Sequence, residues 1–140
     1  MTEKNNVVDM AAAKEEIYGS LEEMVADGAS QVEYAECDGF TPGKKIRIGS
    51  VTAGDMILWS EGNERGGEEK RTAGLRLIAQ SLVSSEATGS KRYAAGSPSE
   101  LKANIEKMRT MRHKETERVV KEILDLNGMT AKKDKEAKND

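Results

Sequence analysis

The sequence predicts a small, helix-dominated α+β domain with a short antiparallel strand pair. Three observations predict it: apolar residues recur at helical spacing along most of the chain, one turn-rich stretch separates two short β-type runs, and aromatic content is only 4%, so aliphatic side chains must supply most of the burial. A length of 140 residues suits one domain with tails. The expected layout is a flexible N-terminus over 1–13, a single α+β domain over 14–129 and a disordered charged tail over 130–140.

The elements follow in order. From Lys14 to Asp27, Ile17, Leu21, Met24 and Val25 recur at spacings of three and four, with Glu15, Glu16, Glu22 and Glu23 largely outside, which predicts a helix stopped by Gly28. Val32, Tyr34 and Ala35, then Ile46, Ile48 and Val51, read as two strands around a loop containing Asp38, Gly39, Pro42 and Gly43. The run Met56 to Trp59 fits a strand or a helix equally well; Thr52 and Asp55 decide for a helix from Ala53 to about Asn63. A hydroxyl there accepts from the amide three residues on, and a carboxylate favours the positive end of the helix dipole. Gly62, Gly66 and Gly67 predict a flexible connection. Leu75, Ile78, Ala79 and Leu82 form the stripe of a helix from about Glu68 to Leu82, and Leu77 points away from it toward a neighbouring element.

Ser84 to Gly96 is small, polar and glycine-containing, a loop or weak hairpin. Ser97-Pro98-Ser99-Glu100 combines a capping hydroxyl, a proline at the first helical position and a reciprocal glutamate, so a helix starts there and carries Leu101, Ile105 and Met108 inward. The apolar pattern lapses between Arg109 and Arg118, which predicts a break, and resumes at Val119, Val120, Ile123, Leu124 and Leu126. Asn127-Gly128 then reads as a C-terminal cap, with Met129 over the last turn. The tail from Lys132 to Lys138 has no apolar residue larger than alanine and cannot offset the entropy of ordering.

Several function classes fall away. No run approaches the roughly 18 consecutive apolar residues of a membrane span, and Met1 to Asp9 lacks the basic-then-apolar order of a secretion signal, so the protein is expected in the cytoplasm and on no membrane. The lone Cys37 and the absence of an Asn-x-Ser/Thr sequon fit a reducing compartment. A net charge of −3 argues against a dedicated DNA binder, whose phosphate contacts need clustered bases. His113 is the only histidine and Cys37 the only thiol, a poor ligand supply, so no metal, cofactor or catalytic residue is assigned and the chain is read as a non-enzyme. Gly39 to Lys45 departs from a phosphate loop, with three residues between its glycines and Lys45 in the hydroxyl position, and predicts a turn. The cluster Arg109, Arg112, His113, Lys114 and Arg118 offers phosphate contacts, but Glu106, Glu115, Glu117 and Glu122 interleave with it, which favours a solvated helix face.

Trp59 and the methionines carry more information about binding. Met24, Met56, Met108, Met111 and Met129 offer adaptable surface where they lie outside the core; core filling is their commoner role, and Met111, off the stripe, is the best candidate for exposure. Trp59, Leu75, Ile78 and Met111 are the candidate partner contacts, with core packing the alternative for the first three.

The middle of the chain also resembles a known family. Gly43-Lys44-Lys45-Ile46-Arg47-Ile48, Val51-Thr52-Ala53-Gly54-Asp55, Trp59-Ser60-Glu61-Gly62-Asn63-Glu64, Lys70-Arg71-Thr72-Ala73-Gly74-Leu75-Arg76-Leu77-Ile78 and Ile123-Leu124-Asp125-Leu126-Asn127-Gly128 resemble, in pattern and order, the tail assembly chaperones of long-tailed bacteriophages and prophages. The likeness covers about Pro42 to Gly128, and the polar stretch from Ser84 to Gly96 departs from it. It implies a protein of the host bacterial cytoplasm, absent from the mature virion, that binds the helical tape measure protein and keeps it soluble during tail assembly. The tail tube protein, or a frameshifted longer form of the chain itself, is a further implied partner. The alternative from another class is a nucleic-acid-associated phage protein using the basic cluster near His113.

Overall fold

The computed structural model describes residues 15–129. Backbone contacts divide the chain into two units, Met1–Gln31 and Val32–Asp140, where the sequence reading draws a single domain over 14–129. The expected flexible start over 1–13 and charged tail over 130–140 lie outside the described residues.

In the first unit, α1 (Leu21–Ser30) begins later than the apolar stripe suggests. Ser20 Oγ accepts from the Glu23 amide at 3.1 Å, and Glu23 Oε1 accepts from the Gly19 amide at 2.9 Å, so a first-turn amide is capped at Ser20 and the helix starts there. Ile17 and Tyr18 precede the helix, and Gly28 sits inside it instead of stopping it. No residue of α1 is buried.

The second unit contains, among the described residues, β1 (Tyr34–Asp38), β2 (Lys45–Gly49), α2 (Ala53–Arg65), α3 (Gly67–Ser81), a 3-10 turn at Glu86–Thr88, α4 (Pro98–Met108) and α5 (His113–Leu126). This is the α+β, helix-dominated class that the periodicity predicts. The strands pair antiparallel, with Tyr34 opposite Gly49 and Cys37 opposite Ile46. Gly39 to Lys44 closes the hairpin through a Gly39 N–H to Lys44 carbonyl bond of 2.8 Å, with Gly43 at φ +87°. On its other edge β2 meets the end of α3: Val83 N–H donates to the Arg47 carbonyl at 3.0 Å, beside an Ile48–Leu82 bridge.

Both capping boxes foreseen in the sequence form, Thr52 with Asp55 at α2 and Ser97 with Glu100 at α4. α3 is the central element and packs on α2, α4 and α5. Its buried residues therefore exceed a single stripe: Ala73, Leu75, Leu77, Ile78, Ala79 and Ser81 are all inside. Leu75, Leu77 and Ile78 join Ile48, Ile105, Val119 and Ile123 in the hydrophobic core. The break after Arg109 is a connection of residues 109–112, after which α5 begins at His113.

Side chains to backbone groups lock these parts together. Buried Ser81 Oγ donates to the Gly49 carbonyl at 2.8 Å. Arg92 donates to the carbonyls of Gln80 and Ser50 at 2.6 and 2.7 Å, which pins the 84–96 segment to the end of α3 and to the residue after β2. Asn127 accepts from the Val51 amide at 3.1 Å and donates to the Ile123 carbonyl at 2.7 Å, tying the end of α5 to the approach to α2. Arg118 reaches the Asp38 and Gly39 carbonyls at 2.9 and 3.1 Å and lies over the Phe40 ring, so α5 also holds the hairpin turn.

Candidate functional site

The candidate site depends on how closely α2 lies against α3. A Cβ placed on Gly62 would sit 2.5 Å from the Ala73 Cβ and 3.0 Å from the Glu69 carbonyl oxygen, so this helix approach requires glycine. Gly66, at φ +71°, is the only residue between the two helices, and Gly67 follows at φ +58°. The three glycines expected to form a flexible connection instead supply one close contact and one tight reversal, a shape that a β-carbon would strain.

The resulting αα-hairpin, the end of α4, the 109–112 connection and α5 enclose an open groove of about 640 Å³. Trp59, Leu75, Met108, Met111, Val120 and Leu124 form its less exposed, apolar floor. Gly74 also lines it and presents no side chain. The exposed rim is mainly basic: Lys70, Arg71, Arg109, His113 and Lys121, against the single acid Glu117. An apolar strip with a predominantly basic border suits an amphipathic helix whose flanking charges are acidic.

Three of the four candidate contacts, Trp59, Leu75 and Met111, meet in this groove, although they come from α2, α3 and the connection before α5. Ile78 does not. It is 3% exposed and belongs to the core, on the inward side of α3. Met108, expected to point inward, and Val120 and Leu124, where the apolar pattern resumes, rest partly against the core and partly line the groove. Nothing in the sequence spacing marked Ile57 and Leu58, which are 58% and 42% exposed on α2.

The basic cluster is largely engaged within the chain. Arg109 bonds Glu68, Glu106 and the Thr72 hydroxyl. Its guanidinium holds the Glu68 carboxyl below the usual carboxylate range. Arg118 serves the hairpin turn and pairs with Glu115 at 2.9 Å. His113 Nε2 lies 3.3 Å from Glu117 Oε2, both side chains in solvent. These contacts compete with phosphate binding by the same groups.

Cys37 is buried in β1 with its thiol pushed up by desolvation, which disfavours the thiolate. Among the described residues no group of three or more His, Cys, Asp or Glu side chains converges to hold a metal ion. No helix among them is long and apolar enough to cross a membrane. Compared with protein-family models, curated proteins and solved structures, the chain matches none.

Proposed function

We propose that this chain is a tail assembly chaperone of a long-tailed bacteriophage or prophage, holding the tape measure protein soluble in the host cytoplasm and departing before the virion is complete. The observation that supports the reading most is the groove: an apolar floor built around Trp59, Met108 and Met111 and open to solvent on one side. A tape measure protein exposes apolar helical stripes until tube subunits enclose it, and exposed stripes of that kind aggregate. A groove lined by flexible thioethers accepts many such stripes without demanding one sequence. One groove covers only a short stretch of client, so each contact is weak and reversible, as a chaperone that must leave requires. No bond is made or broken. A frameshifted longer form would carry the same groove on an extended chain, and the tail tube protein would displace it as assembly proceeds.

The test is co-expression with a candidate tape measure protein. The wild-type chain should keep the client in the soluble fraction and co-purify with it, whereas Met111→Glu should lose both effects while keeping the wild-type far-UV circular dichroism spectrum, because Met111 lies in the connection and is only partly buried where it packs against the core. A client that aggregates as fast with the wild-type chain as without it, and shows no association, would falsify the proposal.

A further inference from the structure

α1 presents a surface complementary to the groove. Leu21, Met24 and Val25 share one face of the helix and are 65%, 47% and 55% exposed. At a helical rotation of about 100° per residue, Glu22 flanks that face on one side and Glu23 with Asp27 lie on the other. Residues 15–31 contain five acids, Glu15, Glu16, Glu22, Glu23 and Asp27, and no lysine, arginine or histidine. The groove has the inverse arrangement, an apolar floor inside a rim dominated by Lys70, Arg71 and Lys121.

Helix energetics adds an independent reason. α1 has 10 residues and buries none of them. Isolated helices below about 12–15 residues are marginal in water, because nucleation costs more than so few hydrogen bonds return, and most helical stability in proteins comes from covering an amphipathic face. An acidic helix with an apolar stripe therefore needs a surface to lie on.

We propose that α1 of one copy lies in the groove of a second copy, and that the exchange is reciprocal, giving a closed two-fold dimer. Such an interface is self-complementary, so each copy donates one helix and offers one groove, and no further copies are recruited. Leu21, Met24 and Val25 meet the floor near Trp59 and Met111, while the flanking acids face Lys70 and Lys121. A groove holding α1 is closed to other helices, so self-association and client capture exclude one another. The dimer stands without the tape measure reading; only the competition rests on it.

Sedimentation equilibrium of the full chain tests the dimer without any client. Its mass should rise with concentration from one copy to two, and emission from Trp59, the only tryptophan, should shift in parallel. The double variant Leu21→Asp, Met24→Asp should stay monomeric with an unchanged far-UV spectrum for the rest of the chain, since both side chains are exposed. Lys70→Glu with Lys121→Glu should weaken the dimer by at least about tenfold in Kd, because the two-fold exchange loses four rim ion pairs, two at each groove. Mixing that variant with Glu22→Lys, Glu23→Lys should restore association as a heterodimer. A wild-type chain that is monomeric at every attainable concentration overturns the proposal. So does a dimer indifferent to these substitutions, or a Trp59 shift caused by the α1 substitutions at constant monomer mass, which would place the helix on its own chain.

Discussion

Replacing Gly62 with alanine should destabilise the second unit, although helix propensity alone predicts the reverse. In an exposed helix interior the change from glycine to alanine is favourable by about 0.8–1 kcal/mol. Here the new methyl would lie 2.5 Å from the Ala73 Cβ and 3.0 Å from the Glu69 carbonyl oxygen, and neither neighbour is the end of a flexible chain. Carbon atoms prefer separations of about 3.5–4.0 Å, so α2 and α3 must part by roughly an ångström. Overpacking of that kind costs about 1–3 kcal/mol. Set against the helix gain, the net loss should reach about 2 kcal/mol, and measured against alanine placed where there is room it should be about 1–3 kcal/mol, a difference in Tm of roughly 5–20 °C for a unit of this size. Gly54 and Gly28 supply controls: Gly54 has only Thr52 Oγ1 near its would-be Cβ, at 3.7 Å, and Gly28 has nothing within 4 Å. Both alanine variants should be neutral or slightly stabilising. Thermal unfolding by circular dichroism on the three variants decides the matter, and a Gly62→Ala protein as stable as the controls would refute the close-approach argument. Because Trp59 and Asn63 lie on α2 and Lys70 and Leu75 on α3, parting the helices also reshapes the groove.

Other consequences are equally measurable. Ile123→Ala, at a fully buried position, should cost about 2–5 kcal/mol by urea denaturation, through lost transfer energy and the cavity left behind. Arg118→Ala removes the donors to the Asp38 and Gly39 carbonyls and should lower stability by about 1–3 kcal/mol while freeing the hairpin turn, seen as faster amide exchange around Gly39. The Ser97 backbone N–H and then its hydroxyl hold the Glu100 carboxyl below the usual range. A depressed folded value means that this stabilisation is complete above the unfolded pKa of about 4.3 and disappears as pH falls through the folded one. Glu100→Gln should therefore flatten the acid limb of the stability profile below that pH, and an unchanged slope would count against the cap.

What could be read in advance was what is local. Thr52 with Asp55 and Ser97 with Glu100 fix helix starts through contacts three residues apart, so the caps of α2 and α4 were visible in the sequence and are present in the structure. Ser20 with Glu23 carries the same three-residue spacing and places the start of α1, whereas the apolar spacing of Ile17 with Leu21 points upstream of it. The roles of Gly62 and Gly66 were hidden, because a glycine that admits another helix and a glycine that loosens a loop look alike until the neighbour is known. The groove was half legible. Trp59 and Met111 stood out by composition, but their meeting with Val120 and Leu124 depends on four segments converging around α3, which no spacing encodes. Ile78, legible as either a contact or a core residue, lies in the core: α3 is covered on several sides, so one stripe does not separate its groove face from its core face.

The order in which the polypeptide is made gives α5 a final consequence. Ile48 and Leu77 leave the ribosome well before Val119 and Ile123, the residues that close over them. Until that last helix clears the exit tunnel, the nascent hairpin and its neighbours carry an unfinished greasy interior, and premature termination before His113 would leave it so permanently. A protein proposed to shield another's apolar surface thus passes through a stage in its own synthesis when it needs the same protection.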